Sequence, residues 1–312
     1  MGTVFRARDE RTGGDVALKV LESGWAESAA MKERFRSEMV LAQRVHHPNV
    51  CRVLDCGQDR ARRYVVTELI DGIDLKRLLS RSGGLPPEHA FEGAIQVARG
   101  LQSVHDAGIV HRDVKSPNVM VDRSGRFRLL DFDLAEHVEV AARGGRVQVH
   151  GTPEYMSPEQ AQGSAVGFAS DVYSLGVVVF ELFTGDVPYR GDSAEDTARK
   201  HLDQPAPLSG ARAERLPKPL LPVLARCLDK DPARRFPRAR SLVEALRLSR
   251  SMLGFGETPQ PAVVPRALST LLGALNPLDA TVRLEPPATR AQRERRSREA
   301  MARLVAALTD KP

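Results

Sequence analysis

The sequence is poor in cysteine and aromatic residues, and it contains no long hydrophobic run. Its three cysteines in 312 residues form no CxxC pair, which argues against a disulfide framework or a cysteine zinc site and favours a reducing compartment. No apolar signal segment opens the chain, and the longest apolar run, residues 172–183, is too short to cross a bilayer. We therefore expect a cytoplasmic protein without a transmembrane segment.

The chain is basic, with a formal net charge of +6. Its basic residues are spread along the sequence and are not interleaved with aromatic residues, so we expect a solvated surface and no nucleic-acid partner.

Periodicity divides the chain into a β-rich beginning and a helical remainder. Residues 1–70 predict a hairpin, one helix and two further strands, whereas residues 71–250 are mainly helical. This order predicts an α+β fold with a small lobe followed by a larger one. Residues 251–287 read as a proline-rich linker and residues 288–312 as a basic amphipathic helix. That tail helix either packs on its own domain or makes a weak membrane-surface or partner contact.

Residues 109–133, IVHRDVKSPNVMVDRSGRFRLLDFD, bring several charged and amide groups close together in the sequence. Phosphoryl transfer needs a group that orients the attacking hydroxyl, a cation near the phosphoryl oxygens, and oxygen ligands for magnesium. A carboxylate can accept the hydroxyl proton and an ammonium can stabilise phosphate charge. The segment supplies this set through Asp113, Lys115, Asn118 and Asp131.

The sequence contains the string HRDVKSPN, the following DFD and the later GTPEYMSPEQ. Through these strings it resembles the bacterial eukaryotic-like (Hanks-type) serine/threonine protein kinases. The resemblance covers about residues 1–245. It implies a bilobal protein-kinase fold, ATP and Mg2+ as cofactors, and a protein substrate with a Ser or Thr acceptor.

The resemblance also assigns roles to individual residues. Asp113 corresponds to the catalytic base, with Lys115 beside it, and Thr152 to a threonine that contacts both. Lys19 in VALK corresponds to the lysine that holds the α- and β-phosphates, paired with Glu38. Asn118 and Asp131 correspond to the magnesium ligands.

Further positions correspond to the nucleotide pocket and to structural contacts. The implied nucleotide contacts are Gly2 in the phosphate loop, Val4, Ala17 and Met120 around adenine, and Thr67, Glu68 and Ile70 in the hinge. His111 and Phe132 correspond to a stack between the lobes. Glu159 is implied to pair with Arg235, and Asp171 to brace the catalytic loop.

Three features depart from the family pattern. Only Gly2-Thr3-Val4 remains of the glycine-rich loop, so we interpret the chain as truncated within that loop, with Met1 as an internal methionine. Asp133 replaces the glycine of DFG, and glycine allows backbone angles that Asp resists. Residues 134–151 contain no Ser, Thr or Tyr, so we predict an enzyme that needs no phosphorylation in this loop, or one that is not switched on at all.

Other functions stay open at this point. The short phosphate loop and Asp133 favour a pseudokinase that acts as an interaction module, whereas the retained Lys19, Asp113 and Asn118 favour an active enzyme. A small-molecule kinase of similar fold is a further alternative, against which GTPEYMSPE argues. A membrane-associated regulator acting through the tail is another.

Overall fold

The computed structural model describes residues 2–21, 39–59, 62–130, 152–256 and 281–284. These residues form two compact units. The first contains a five-stranded sheet and residues 39–45, and the second contains residues 46–50 and the mainly helical described chain between residues 72 and 256. A small β-rich part thus precedes a larger helical part, as the sequence predicts.

The first unit begins with a hairpin, as expected. Strand β1 (Gly2–Asp9) pairs antiparallel with β2 (Asp15–Leu21). The turn between them requires Gly13, whose φ of 71° lies in the left-handed region that side chains disfavour. The hairpin is followed by β3 (Val53–Asp59) and β4 (Arg62–Glu68), and these four strands lie in the order β3-β4-β2-β1.

Alternation along β2 separates the two faces of this sheet. Val16, Leu18 and Val20 are buried and pack with Tyr64 and Val66 of β4 in the core of the unit. Because successive side chains of a strand point to opposite faces, Ala17 and Lys19 lie on the other face.

The outer position of the sheet, beside β1, is taken by β8 (Thr281–Leu284). Its backbone pairs in parallel with residues 6–9, although the sequence places residues 281–284 in the linker. An edge strand presents unpaired N–H and C=O groups, and β8 pairs with those of β1.

The second unit combines helices with a three-stranded sheet of order β5-β6-β7. Its strands are β5 (Gly72–Asp74), β6 (Val119–Asp122) and β7 (Phe127–Leu129). Its helices are α1 (Leu75–Ser82), α2 (Pro87–Asp106), α3 (Pro158–Gln162), α4 (Phe168–Thr184), α5 (Ala194–Asp203), α6 (Leu221–Cys227) and α7 (Ala239–Ser251). Its single-turn 3-10 helices are Ser116–Asn118, Pro153–Tyr155, Ala211–Ala213, Lys218–Leu220 and Pro232–Arg234.

Helix α4 is the central helix of this unit and carries the longest apolar run of the sequence. It is buried along most of its length and contacts α2, α3, α6 and α7. Phe183 meets Phe91 of α2 edge to face, with ring centroids 5.0 Å apart. The apolar run therefore forms core, and within the described part of the chain no helix is both long and apolar enough to cross a membrane.

Candidate active site

The loop between α2 and β6 contains HRDVKSPN, and Asp171 of α4 holds its first half. The carboxylate of Asp171 accepts hydrogen bonds from the backbone N–H of His111 (2.8 Å) and of Arg112 (2.7 Å). It also accepts one from Nε2 of His105, at 2.9 Å. Asp171 is buried, and buried charge is tolerated when several donors satisfy it. The expected brace between Asp171 and the catalytic loop is confirmed.

Arg112 adopts a backbone conformation that is costly for a residue with a side chain. Its φ of 66° is the only positive value at a non-glycine residue in the described part of the chain. The left-handed region costs an L-residue about 1–2 kcal/mol. Asp171 of α4 accepts from the N–H of Arg112, and Nε2 of Gln160 in α3 donates to the carbonyl of Arg112 at 2.8 Å. These two helices therefore hold Arg112 in its left-handed conformation.

The turn places Asp113 beside Lys115 and Asn118. Nζ of Lys115 lies 2.8 Å from Oδ2 of Asp113, and Nδ2 of Asn118 donates to the same oxygen at 2.7 Å. Asn118 also donates to the Asp113 carbonyl at 3.0 Å. Both side-chain donors approach Oδ2, so Oδ1 is the oxygen left to accept a further proton. The Asp113 side chain is 24% exposed, which allows a substrate to reach it.

His111 supports the loop through both ring nitrogens. Its Nδ1 accepts from the backbone N–H of Asp113 at 3.3 Å, and its Nε2 lies 3.0 Å from the carbonyl of Leu130. An Nδ1 that accepts carries no hydrogen, so the hydrogen is on Nε2, which donates to Leu130. His111 therefore connects the catalytic loop with the residue that precedes Asp131.

Asn118 has the chemistry of a magnesium ligand. Both hydrogen bonds of its amide nitrogen go to Asp113, which leaves the amide oxygen for a cation, and Mg2+ prefers such hard oxygen ligands. The second predicted ligand, Asp131, lies outside the described residues, as do Glu38, Phe132 and Asp133. No cluster of three or more His, Cys, Asp or Glu side chains suited to a metal occurs among the residues that are described.

Four predicted nucleotide residues share one face of the sheet in the first unit. Val4 lies opposite Lys19 in the β1–β2 pairing, and Ala17 lies opposite Thr67 in the β2–β4 pairing. Directly opposed residues of an antiparallel pair point to the same face. Since Ala17 and Lys19 are two residues apart, all four lie on the face opposite the unit's core. Val4 is 41% exposed, so its side chain is accessible on this face.

The hinge residue Glu68 ends β4 and is bound to Arg52, the residue that precedes β3. Its backbone N–H donates to the carbonyl of Arg52 at 3.0 Å, while its side chain accepts from the N–H of Arg52 at 2.9 Å. Its carbonyl lies 3.6 Å from the thiol of Cys51, a weak contact that leaves it able to accept from a ligand. The adenine contacts of Ile70 and Met120, and the phosphate contact of Gly2, stay predictions.

The segment after Thr152 is anchored by the predicted ion pair. Nη1 and Nη2 of Arg235 donate to the two carboxylate oxygens of Glu159, at 2.8 and 2.9 Å. Arg235 is buried and also donates to three backbone carbonyls, those of Asp229, Ala169 and Lys230. This pair is confirmed, and the contact of Thr152 with Asp113 and Lys115 stays a prediction.

Sequence reasoning missed two sets of residues near this site. The first is Gln160, which supports Arg112. The second is a buried series of hydrogen bonds that joins Ser116, Tyr155, Glu181 and Lys76. Ser116, Tyr155 and Gln160 lie in the strings HRDVKSPN and GTPEYMSPEQ, but the resemblance assigned them no contact. Glu181 and Lys76 occupy ordinary helix positions, and only the meeting of these groups in space distinguishes them.

Comparison with known proteins agrees with the fold and the loop geometry. The family model described as a protein kinase domain matches residues 1–245. The chain belongs to this family, since the match covers most of its length. Its relatives are bacterial serine/threonine kinases of the Hanks type.

Serine/threonine-protein kinase PknA of Mycobacterium tuberculosis is 37% identical over 269 residues, which cover 84% of this chain and 62% of PknA. PrkC of Bacillus subtilis is 32% identical over 242 residues, covering 78% of this chain and 37% of PrkC. The crystal structure of the M. tuberculosis PknI kinase domain aligns with a TM-score of 0.64 at 27% identity, covering 80% of this chain and 91% of that domain. The chain thus spans less than two thirds of the length of PknA and of PrkC.

Proposed function

We propose that the chain is a serine/threonine protein kinase that transfers the γ-phosphoryl group of ATP to Ser or Thr hydroxyls of a protein substrate. The observation that carries this proposal is the arrangement around Asp113. Two donors, Lys115 and Asn118, bind one carboxylate oxygen, and the other oxygen stays available to a hydroxyl.

Asp113 orients the acceptor hydroxyl and takes its proton as the hydroxyl oxygen bonds to the γ-phosphorus and the bond to ADP breaks. The ammonium of Lys115 lies beside the carboxylate and neutralises charge on the transferring phosphoryl group. Asn118 holds Asp113 through its amide nitrogen and offers its amide oxygen to magnesium. Magnesium held there would supply positive charge that offsets the charge of the phosphates.

In the first unit, we assign nucleotide binding to the face that carries Val4, Ala17, Lys19 and Thr67. Lys19 contributes a cation to this face, and Val4 and Ala17 contribute an apolar surface suited to a flat ring. The cytoplasmic location stays a prediction. So does any membrane or partner contact of residues 288–312, a segment that lies outside the described residues.

The test is radiolabelled phosphate transfer from ATP to the chain itself and to a generic basic protein. Asp113→Asn keeps the size of the side chain and an acceptor for Lys115 but loses the base. We expect a fall in rate of at least about a hundredfold, with the melting temperature almost unchanged. Glu244→Gln, the same chemical change at an exposed position of α7, is the matched control.

Transfer by the wild-type chain that Asp113→Asn leaves intact would refute the role of Asp113. Nucleotide binding without transfer by any variant would refute the proposed activity and favour the pseudokinase.

A further inference from the structure

A series of buried hydrogen bonds joins the catalytic loop to the segment that follows Thr152. Oγ of Ser116, one residue after Lys115, lies 2.8 Å from the hydroxyl oxygen of Tyr155. The Tyr155 hydroxyl lies 2.7 Å from Oε2 of Glu181 in α4. Oε1 of Glu181 accepts from Nζ of Lys76 in α1, at 2.8 Å. Four separate segments of the second unit therefore meet through one set of contacts.

The direction of each hydrogen bond follows from the number of protons available. A tyrosine hydroxyl has one hydrogen, and the carboxylate of Glu181 beside the Lys76 ammonium can only accept. Tyr155 therefore donates to Glu181, and Ser116 must donate to Tyr155. Burial, together with the nearby Glu181 carboxylate, raises the pKa of Tyr155, so its hydroxyl keeps this hydrogen.

Burial makes these bonds difficult to exchange for water. Ser116 and Glu181 are fully buried and Tyr155 is 5% exposed, whereas the Lys76 side chain is 38% exposed. A buried donor that loses its partner bears its full desolvation penalty, and satisfied buried networks hold one geometry. Lys76 compensates the charge of Glu181, which would otherwise be an unpaired buried carboxylate.

We propose that Ser116 and Tyr155 are positioning residues for phosphoryl transfer, which hold the catalytic loop in register with the segment that follows Thr152. This inference rests on the proposed kinase activity. The link uses only hydrogen bonds built into the fold. Residues 134–151 offer no hydroxyl group for phosphorylation, and the link needs none. Asp113 lies three residues and Lys115 one residue before Ser116, so displacement of Ser116 moves the reacting groups directly.

The test is a double-mutant cycle of Ser116→Ala and Tyr155→Phe, read in kcat, in KM for ATP and in melting temperature. Each single variant breaks the same hydrogen bond and is expected to lower kcat about tenfold, with KM for ATP changed less than twofold. The double variant is expected to lose little more than the more affected single variant, because the bond between the two side chains is already gone.

Two control variants remove buried hydroxyls of the same kinds elsewhere in the second unit. Tyr189→Phe removes a hydroxyl bound by Lys230, and Ser249→Ala removes one bound to the carbonyl of Pro219. Both are expected to lower the melting temperature and leave kcat within twofold of wild type.

If Ser116 and Tyr155 contribute only to stability, the kcat values of Ser116→Ala and Tyr155→Phe will match those of the two control variants. That result would overturn the proposal. Losses in kcat that multiply in the double variant would also overturn it, because the two residues would then act separately. If the wild-type chain transfers no phosphate at all, the proposed function fails first, and the positioning role falls with it.

Discussion

Replacing Asp171 by Asn should damage both stability and catalysis, because one buried carboxylate satisfies three donors. Oδ2 accepts from His105 and from the N–H of His111, and Oδ1 accepts from the N–H of Arg112. Asparagine has one acceptor oxygen. If it serves the two donors at Oδ2, its NH2 group faces the N–H of Arg112, and a hydrogen bond becomes a contact between two donors.

The size of the loss follows from these three contacts. A hydrogen bond to a charged group contributes about 1.5–3 kcal/mol, and the two that survive become neutral and roughly half as strong. The expected loss is therefore about 3–6 kcal/mol, which overlaps the cost of removing one partner of a buried charged pair. In a domain of this size that lowers the melting temperature by about 10 °C.

Catalysis should fall as well, because Asp171 helps to keep Arg112 in its left-handed conformation. Without that bond the turn can relax and shift Asp113, and a displacement of about 1 Å can cost about a hundredfold in rate. Thermal unfolding and phosphate transfer measured on the same preparations would check both effects, with Glu244→Gln as the control. An Asp171→Asn protein that melts and reacts like this control would refute the assignment of Asp171 as the brace of the loop.

Two other substitutions test the described structure. Arg112→Gly should be more stable than Arg112→Ala by about 1 kcal/mol, because both remove the side chain but only glycine accepts the left-handed backbone without cost. Urea unfolding would check this, and equal stabilities would contradict the strained turn. Burial, with the charge of Lys230, lowers the pKa of His201 from 6.5 to about 3. Between these pH values the unfolded chain binds a proton that the folded chain does not, so stability should fall as pH drops below 6.5. His201→Gln should flatten that fall in urea titrations from pH 7 to pH 4, and an unchanged slope would contradict it.

The sequence by itself determined the features that depend on local order. Residue patterning predicted the β1–β2 hairpin and the mainly helical character of residues 71–250. The spacing within HRDVKSPN placed Asp113, Lys115 and Asn118 close together, since residues two to five apart in a short loop stay close in space whatever surrounds them. The pairing of Glu159 with Arg235 also came from the sequence, but only through resemblance to a family whose motifs fix both positions.

Only the tertiary structure decided which distant groups complete that loop. Asp171 was expected from resemblance, but its geometry, with two oxygens serving three donors, depends on how α4 meets the loop. Glu181 and Lys76 gave no signal in the sequence, and the string that contains Tyr155 and Gln160 assigned no contact to either of them. A polar residue on a helix looks the same whether it faces solvent or a buried partner. The hydrogen-bond partner of such a residue depends on the packing of segments that are far apart in the chain. Neither periodicity nor motif spacing predicts that packing.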